Sequence, residues 1–229
     1  MCLVNLMNNQ QWSGRSMETK KILYNLMVNR RSIRLFKNRK PAKEILEQLI
    51  QAAVTAPSAS NKQPWRFQVI MNDELIQIAA LEVEQERQNI ISMIPEEFRA
   101  QFEEYSVNFL AFQHAPALIV ITCRPFPLLS QLLEDNATAT YLNTIRKVES
   151  DSALISTACA MQNILLMAES LDLGACCMTG PLVAAEKLKQ CWSICEGWEI
   201  ASLIAVGYAD EQPIMQPRKP LHSVVRWSL

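Results

Sequence analysis

From residue 18 to residue 208 the chain switches repeatedly between helical and strand-like hydrophobic patterns, with no internal repeat and no hinge-like composition dividing it. Over 18–29, Ile22, Leu23, Leu26 and Met27 recur at helical spacing and predict a first helix. Pro41 is placed to open a second, in which Ile45, Leu46, Leu49 and Ile50 share one face of an apolar run reaching Ala56. Residues 67–71 alternate as a strand. A helix over 73–81 continues its tendency through the charged 82–99, where Pro95 divides it. Residues 117–122 are continuously apolar and β-branched, the pattern of a buried strand.

The second half is predicted in the same way. Residues 124–148, with Pro125, Pro127 and a polar stretch, predict a long excursion or lid. A helix is expected over 152–171, capped by Ser150 or Asp151 and ended by Gly174. Its apolar or small residues lie on nearly every face, so it must be covered all round, by its own domain or by a partner chain. A strand over 175–178, a turn at 179–181, a helix over 184–191 and a strand over 200–208 complete the pattern. The result is a central sheet covered by helices.

Composition narrows the functions available. At 229 residues and 49% hydrophobic content the chain closes a substantial core, and a single domain over 20–229 is expected. With 22 basic against 23 acidic residues, net charge is -1, so no global field draws it to nucleic acid or an anionic membrane. The longest apolar region, 153–173, is interrupted by Gln162, Asn163 and Glu169 and falls short of a clean span of about twenty residues. Seven scattered cysteines without Cys-x-x-Cys predict a reducing, cytoplasmic setting. Residues 1–19 read as a flexible polar tail without the basic start and long apolar centre of a secretory signal.

With His114 and His222 as the only histidines, one chain cannot supply a multi-histidine metal centre, and neither stands in a nucleophile motif. The five glycines form no Gly-x-Gly-x-x-Gly and no phosphate-cradling loop, so any bound phosphate must be held by side-chain cations. Such cations stand at Arg30, Arg31 and Arg34, and again at Arg218 and Lys219. The stiff segment Pro57-Ser58-Ala59-Ser60-Asn61-Lys62-Gln63-Pro64-Trp65 gathers compact hydrogen-bonding groups able to hold a polar heterocycle by its edge. A solvated surface for the arginines and an ordinary helix-to-strand loop for this segment are the plain alternatives.

Taken in order, four stretches resemble the FMN-dependent nitroreductase family from Lys20 to Trp227. They are Arg30-Arg31-Ser32-Ile33-Arg34, the turn from Pro57 to Phe67, Leu171-Asp172-Leu173-Gly174-Ala175-Cys176-Cys177-Met178-Thr179-Gly180, and Ile204-Ala205-Val206-Gly207-Tyr208 with Arg218. The resemblance implies an α+β fold with a central mixed, mostly antiparallel sheet flanked by helices and a C-terminal segment extending onto a partner subunit. It implies a homodimer with FMN at the interface and NADH or NADPH as electron donor. Arg30, Ser32, Arg34 and Arg218 would hold the phosphate, ribityl chain or pyrimidine edge, with Arg31 and Lys219 assisting. Pro57, Ser58, Ala59 and Asn61 would line the ring from the neighbouring subunit, Gln63 would support the turn, and Met178, Thr179 and Gly180 would lie against the ring. The implied chemistry is ping-pong hydride transfer to a nitroarene, quinone or similar small-molecule acceptor, with no catalytic side chain required. Related flavin reactions (reductive dehalogenation or flavin breakdown) and a flavin-binding protein with little turnover stand as alternatives. Thr179 and Pro181 depart from the common pattern, where some members carry a carboxylate and an aromatic residue.

Overall fold

The computed structural model describes residues 17–228; residues 1–16, most of the expected tail, lie outside the described residues. Four strands, β1 (Trp65–Ile70), β2 (Ala117–Cys123), β3 (Gly174–Met178) and β4 (Glu199–Gly207), form one antiparallel sheet in the order β1-β2-β4-β3. The expected mixture of directions is reduced to one parallel bridge, Ser32 to Ala175 on the outer edge of β3.

Helices cover both faces, which explains why β2 is buried at every position and reads as an unbroken apolar run. Ala117, Ile119 and Ile121 face α2 (Lys43–Ala53) and the long α6 (Ala139–Ser170). Leu118 and Val120 face α3 (Asp73–Met93) and α7 (Ala185–Cys191). On β4 the alternation slips by one residue: Ile200 and Leu203 share a face. The ladder jumps there from Ile121–Ser202 to Thr122–Ile200, and the extra residue reverses the sidedness beyond it.

Three expectations need correction. The 124–148 excursion is mostly helical: a short α5 (Leu128–Leu132) is followed by α6, which starts at Ala139 and not at 152. No proline or glycine interrupts 139–152, Thr138 Oγ1 accepts from Tyr141 N–H at the N-terminus, and Lys147 pairs with Asp151 inside the helix. Ser150 and Asp151 are therefore interior residues and not caps. Gly174 does not end α6; the chain turns at Asp172 in the left-handed region (φ 57°), and Gly174 is the first residue of β3. Pro95 separates α3 from α4 (Glu96–Ser106) as expected, although α4 runs seven residues past the expected end at 99, and the remaining boundaries move by at most four residues.

Gly174 has a different duty. A Cβ there would lie 2.7 Å from Ile33 Cβ, so its absence lets the 30–34 segment lie directly on β3. Gly174→Ala is expected to lower stability by about 1–3 kcal/mol, read as a reduced urea midpoint at unchanged slope. An unchanged midpoint would show that Ile33 moves aside without cost.

Candidate functional site

The arginine segment follows α1 (Met17–Asn29) and is fastened to the outer edge of β3: Ile33 N–H donates to Ala175 O at 3.1 Å. Farther along, Lys37 N–H donates to Tyr208 O and Asp210 N–H donates to Leu35 O. Glu211 Oε1 accepts from the backbone N–H groups of Arg34 and Leu35. Three of the four stretches singled out in the sequence, around 30–34, 174–180 and 204–208, are thus joined within one chain.

The Cys176 thiol reports how close these side chains lie. Burial pushes it up, while the Arg34 charge and the Ser32 hydroxyl act in the opposite direction. Arg31 is otherwise engaged: its Nη1 donates to the carbonyls of Val28, Asn29 and Arg30, capping the C-terminus of α1. Arg34 makes one long bond to Ser32 O at 3.5 Å. Among the described residues, the side chains of Arg30, Arg218 and Lys219 have no hydrogen-bond or ion-pair partner. Arg218 and Lys219 lie on the exposed, irregular segment after Pro213.

Residues 174–180 differ in part from their expected roles. Met178 is packed in the core beneath the sheet, and its carbonyl accepts from Ser202 Oγ at 3.0 Å, so its side chain presents nothing to a ligand. The missing side chain of Gly180 faces the Phe109 ring, where a Cβ would lie 2.3 Å from Cδ1, so internal packing also requires a glycine there. Thr179 is exposed, and so is Cys177, with its Sγ 3.0 Å from Ser202 Oγ.

The Pro57–Trp65 turn stands elsewhere. Ser60, Asn61 and Gln63 all occupy the left-handed region (φ 51°, 52° and 47°), a concentration of strain that persists only where surrounding contacts impose it. Those contacts are identifiable. Ser58 Oγ accepts from Gln63 N–H at 3.0 Å, Gln63 Nε2 donates to Asn61 Oδ1 at 3.3 Å, and Ser156 Oγ on α6 accepts from Ala59 N–H at 3.3 Å. Ser58 and Gln63 therefore maintain the turn, while Ser60 and Asn61 are exposed, Asn61 with its Oδ1 engaged by Gln63. Pro57, Ser58 and Ala59 border a groove of about 450 Å³ against α6. Ala59, Ser60, Lys62 and Pro64 border an adjoining hollow of about 210 Å³ against α5 and α6.

Position along α6 measures how far apart the two regions are. The turn meets it at Ser156, whereas Arg31 and Ile33 share a groove with Glu169 near its other end. Thirteen residues at 1.5 Å each give about 20 Å. The sheet agrees, since the turn leads into β1 on one edge and the arginine segment lies on β3 at the other. Three strand spacings are about 14 Å. No hydrogen bond or ion pair among the described residues links the turn to the arginines.

Several groups were not signalled by the sequence. Glu211 was one acidic residue in a polar tail. Ser156 has the clearest prior signal, because Ser152, Ser156 and Thr157 are hydroxyl residues within the mostly apolar or small stretch 152–161 of the helix. Glu149, in the second hollow, accepts from Leu129 N–H at 2.7 Å and from Ser130 N–H and Oγ at 3.2 and 2.6 Å. Burial alone would raise its carboxyl, but those Ser130 and Leu129 bonds outweigh it and hold Glu149 below its ordinary value of 4.5. A depressed carboxyl contributes stability above its unfolded value and loses it as pH falls through the folded one. The stability difference between wild type and Glu149→Gln is therefore expected to be largest near about pH 7 and to shrink towards about pH 3, measured by urea unfolding. A difference that stays constant would mean that charge plays no part.

Among the described residues no group of three or more metal-ligating side chains occurs, and no helix is long and apolar enough to cross a membrane. The chain is 26% identical over 216 residues to an iodotyrosine dehalogenase 1 homolog of Caenorhabditis elegans, covering 92% of this chain but only 62% of that protein's length. It is 28% identical over 187 residues to a putative NADH dehydrogenase/NAD(P)H nitroreductase of Methanothermobacter thermautotrophicus, covering 80% and 75% of the two chains. A BluB-like flavoprotein of Clostridium difficile has the same fold at a TM-score of 0.80 and 23% identity, over 93% of this chain and all of that one. So does an FMN-bound nitroreductase of Desulfitobacterium hafniense at 0.64 and 22%, over 91% and 98%. The family pattern itself matches residues 27–208, the span that contains the arginine segment, the strained turn and all four strands: the chain belongs to the Nitroreductase family.

Proposed function

We propose that the chain is an FMN-dependent NAD(P)H oxidoreductase that reduces nitroaromatic, quinone or similar activated acceptors, working as a homodimer with two flavin sites at its interface. The observation that carries this reading is the separation of about 20 Å along α6 between the arginine segment and the strained turn. One chain cannot close both on one ring edge. Two chains related by a two-fold axis can, with the turn of each facing the arginines of the other.

The surface of one chain supports this arrangement. Tyr24 on α1 is 67% exposed, Ile155 on α6 is 65% exposed and Trp227 in the tail is 75% exposed, with Ile22, Leu23, Met27, Leu154, Ile214 and Leu221 also uncovered. Apolar surface on this scale is expected to lie against another chain. In this reading the segment after Pro213 reaches across the partner. Six free cysteines among the described residues fit a reducing, cytoplasmic setting.

The residues present fit a flavin phosphate. Arg30, Arg218 and Lys219 are unpaired cations among the described residues, and Arg30 belongs with Ser32 and Arg34 to the segment that lies on the β3 edge. FMN, when bound, supplies two-electron transfer from a nicotinamide to an acceptor. The chain's task is to hold and position: the arginines grip an anion, while Ser60 and Asn61 offer donors and acceptors fixed by a turn that has already lost its freedom. The exposed Thr179 and the backbone of Gly180 would complete the contacts to the ring.

A second reading is reductive dehalogenation. The 26% identity to the nematode dehalogenase homolog, along 92% of this chain, favours it specifically. Iodide release from an iodinated phenol, compared with nitroarene-dependent NADPH oxidation by the same preparation, separates the two.

The purified protein is expected to be yellow and to bleach on anaerobic addition of NADH or NADPH. Arg30→Ala and Asn61→Ala are each expected to lose flavin. Co-refolding them in equal amounts should restore about a quarter of the sites, because half the dimers are mixed and each of those has one intact site. No recovery would place both halves of the site in one chain.

A further inference from the structure

The hollow between the turn and α5 has a composition that selects a ligand. Phe126, Leu128, Leu129 and Val148 give it apolar walls, and Lys62 is its one cation. The Lys62 Nζ lies 3.8 Å from the centre of the Phe126 ring and makes no ion pair among the described residues. The one carboxylate in the lining, Glu149, has both oxygens turned onto Leu129 and Ser130. Lys62 is thus the charged group with donors to spare. At about 210 Å³ the hollow is a little larger than the roughly 150 Å³ that encloses benzene, so it has room for one substituted ring.

Resting on the oxidoreductase reading above, we propose that this hollow is the acceptor subsite and that it selects single-ring aromatic acceptors carrying an acidic substituent. The ring lies against Phe126 and Val148, and the acid pairs with the Lys62 ammonium. Neutral acceptors of the same size have the walls but no charge partner.

The test uses the flavin-loaded protein and the pair benzoate and benzyl alcohol, neither of which accepts electrons, in titration calorimetry. Wild type is expected to bind benzoate about fivefold more tightly, the scale of a partly exposed charge-assisted bond. Lys62→Met should remove the preference and Lys62→Arg should restore it. The same pattern is expected in kcat/KM for 4-nitrobenzoate against 4-nitrobenzyl alcohol. Val148→Trp, which fills the hollow from the surface of α6, should weaken both ligands together. A preference that survives Lys62→Met, or benzoate binding untouched by Val148→Trp, would overturn the subsite. So would a parallel loss of flavin in Lys62→Met, which would assign Lys62 to the cofactor instead. A colourless protein that still shows the benzoate preference would refute the oxidoreductase reading and leave the anion preference standing.

Discussion

The packing of α6 across one face of the sheet fixes the distances on which the rest depends. Ala160, Ile164 and Ala168 are fully buried against β2, β3 and β4, and small residues at two of those three positions let the helix lie close to the strands. Once it is seated, Ser156 holds the strained turn by its Ala59 N–H, and Leu173 N–H, donating to Ala168 O, sets where β3 begins. The arginine segment then follows β3, because Gly174 leaves room for Ile33. The turn and the arginine segment are thus held apart by α6, a spacer between them.

The spacer also explains where strain and charge stay uncompensated. Ser60, Asn61 and Gln63 are held in the sparsely populated left-handed region, a conformation costing on the order of 1–3 kcal/mol for a residue other than glycine. They persist because Pro64 is buried and the turn is tied at both ends. The arginines show the converse: Arg30 has no ion-pair partner among the described residues, Arg31 spends its donors on carbonyls at the end of α1, and Glu211 accepts from the backbone N–H of Arg34 and not from its guanidinium. Strained polar backbone and unmatched cations, on a chain whose apolar helix faces are left uncovered, are the features that the proposed two-chain site accounts for.

Much of this was legible in residue order. The buried strands announce themselves by unbroken apolar runs, Pro95 divides two helices, and the four family stretches stand at recognisable spacing. The start of α6 was not legible, because the prolines at 125 and 127 and the polar 134–144 read as loop. Helical geometry places those polar residues on an exposed face, and only tertiary contact at Leu142 and Ala153 shows it. Gly174 and Gly180 were assigned roles by local rules for helix ends and ligand approach, yet each is required by a side chain distant in sequence, Ile33 and Phe109. Ser58 illustrates the same limit: a polar residue in such a turn serves either a ligand or the turn, and composition does not say which, whereas Gln63 bonds within the turn as expected.

The central claim is that flavin is held jointly by regions of two chains that neither brings together alone. Its most direct test is flavin occupancy followed through serial dilution, with sedimentation velocity reporting the fraction of dimer at each concentration. Flavin release that tracks dimer dissociation, with a colourless monomer, is the predicted result. A monomer that sediments with its flavin fluorescence quenched and bound would contradict the account.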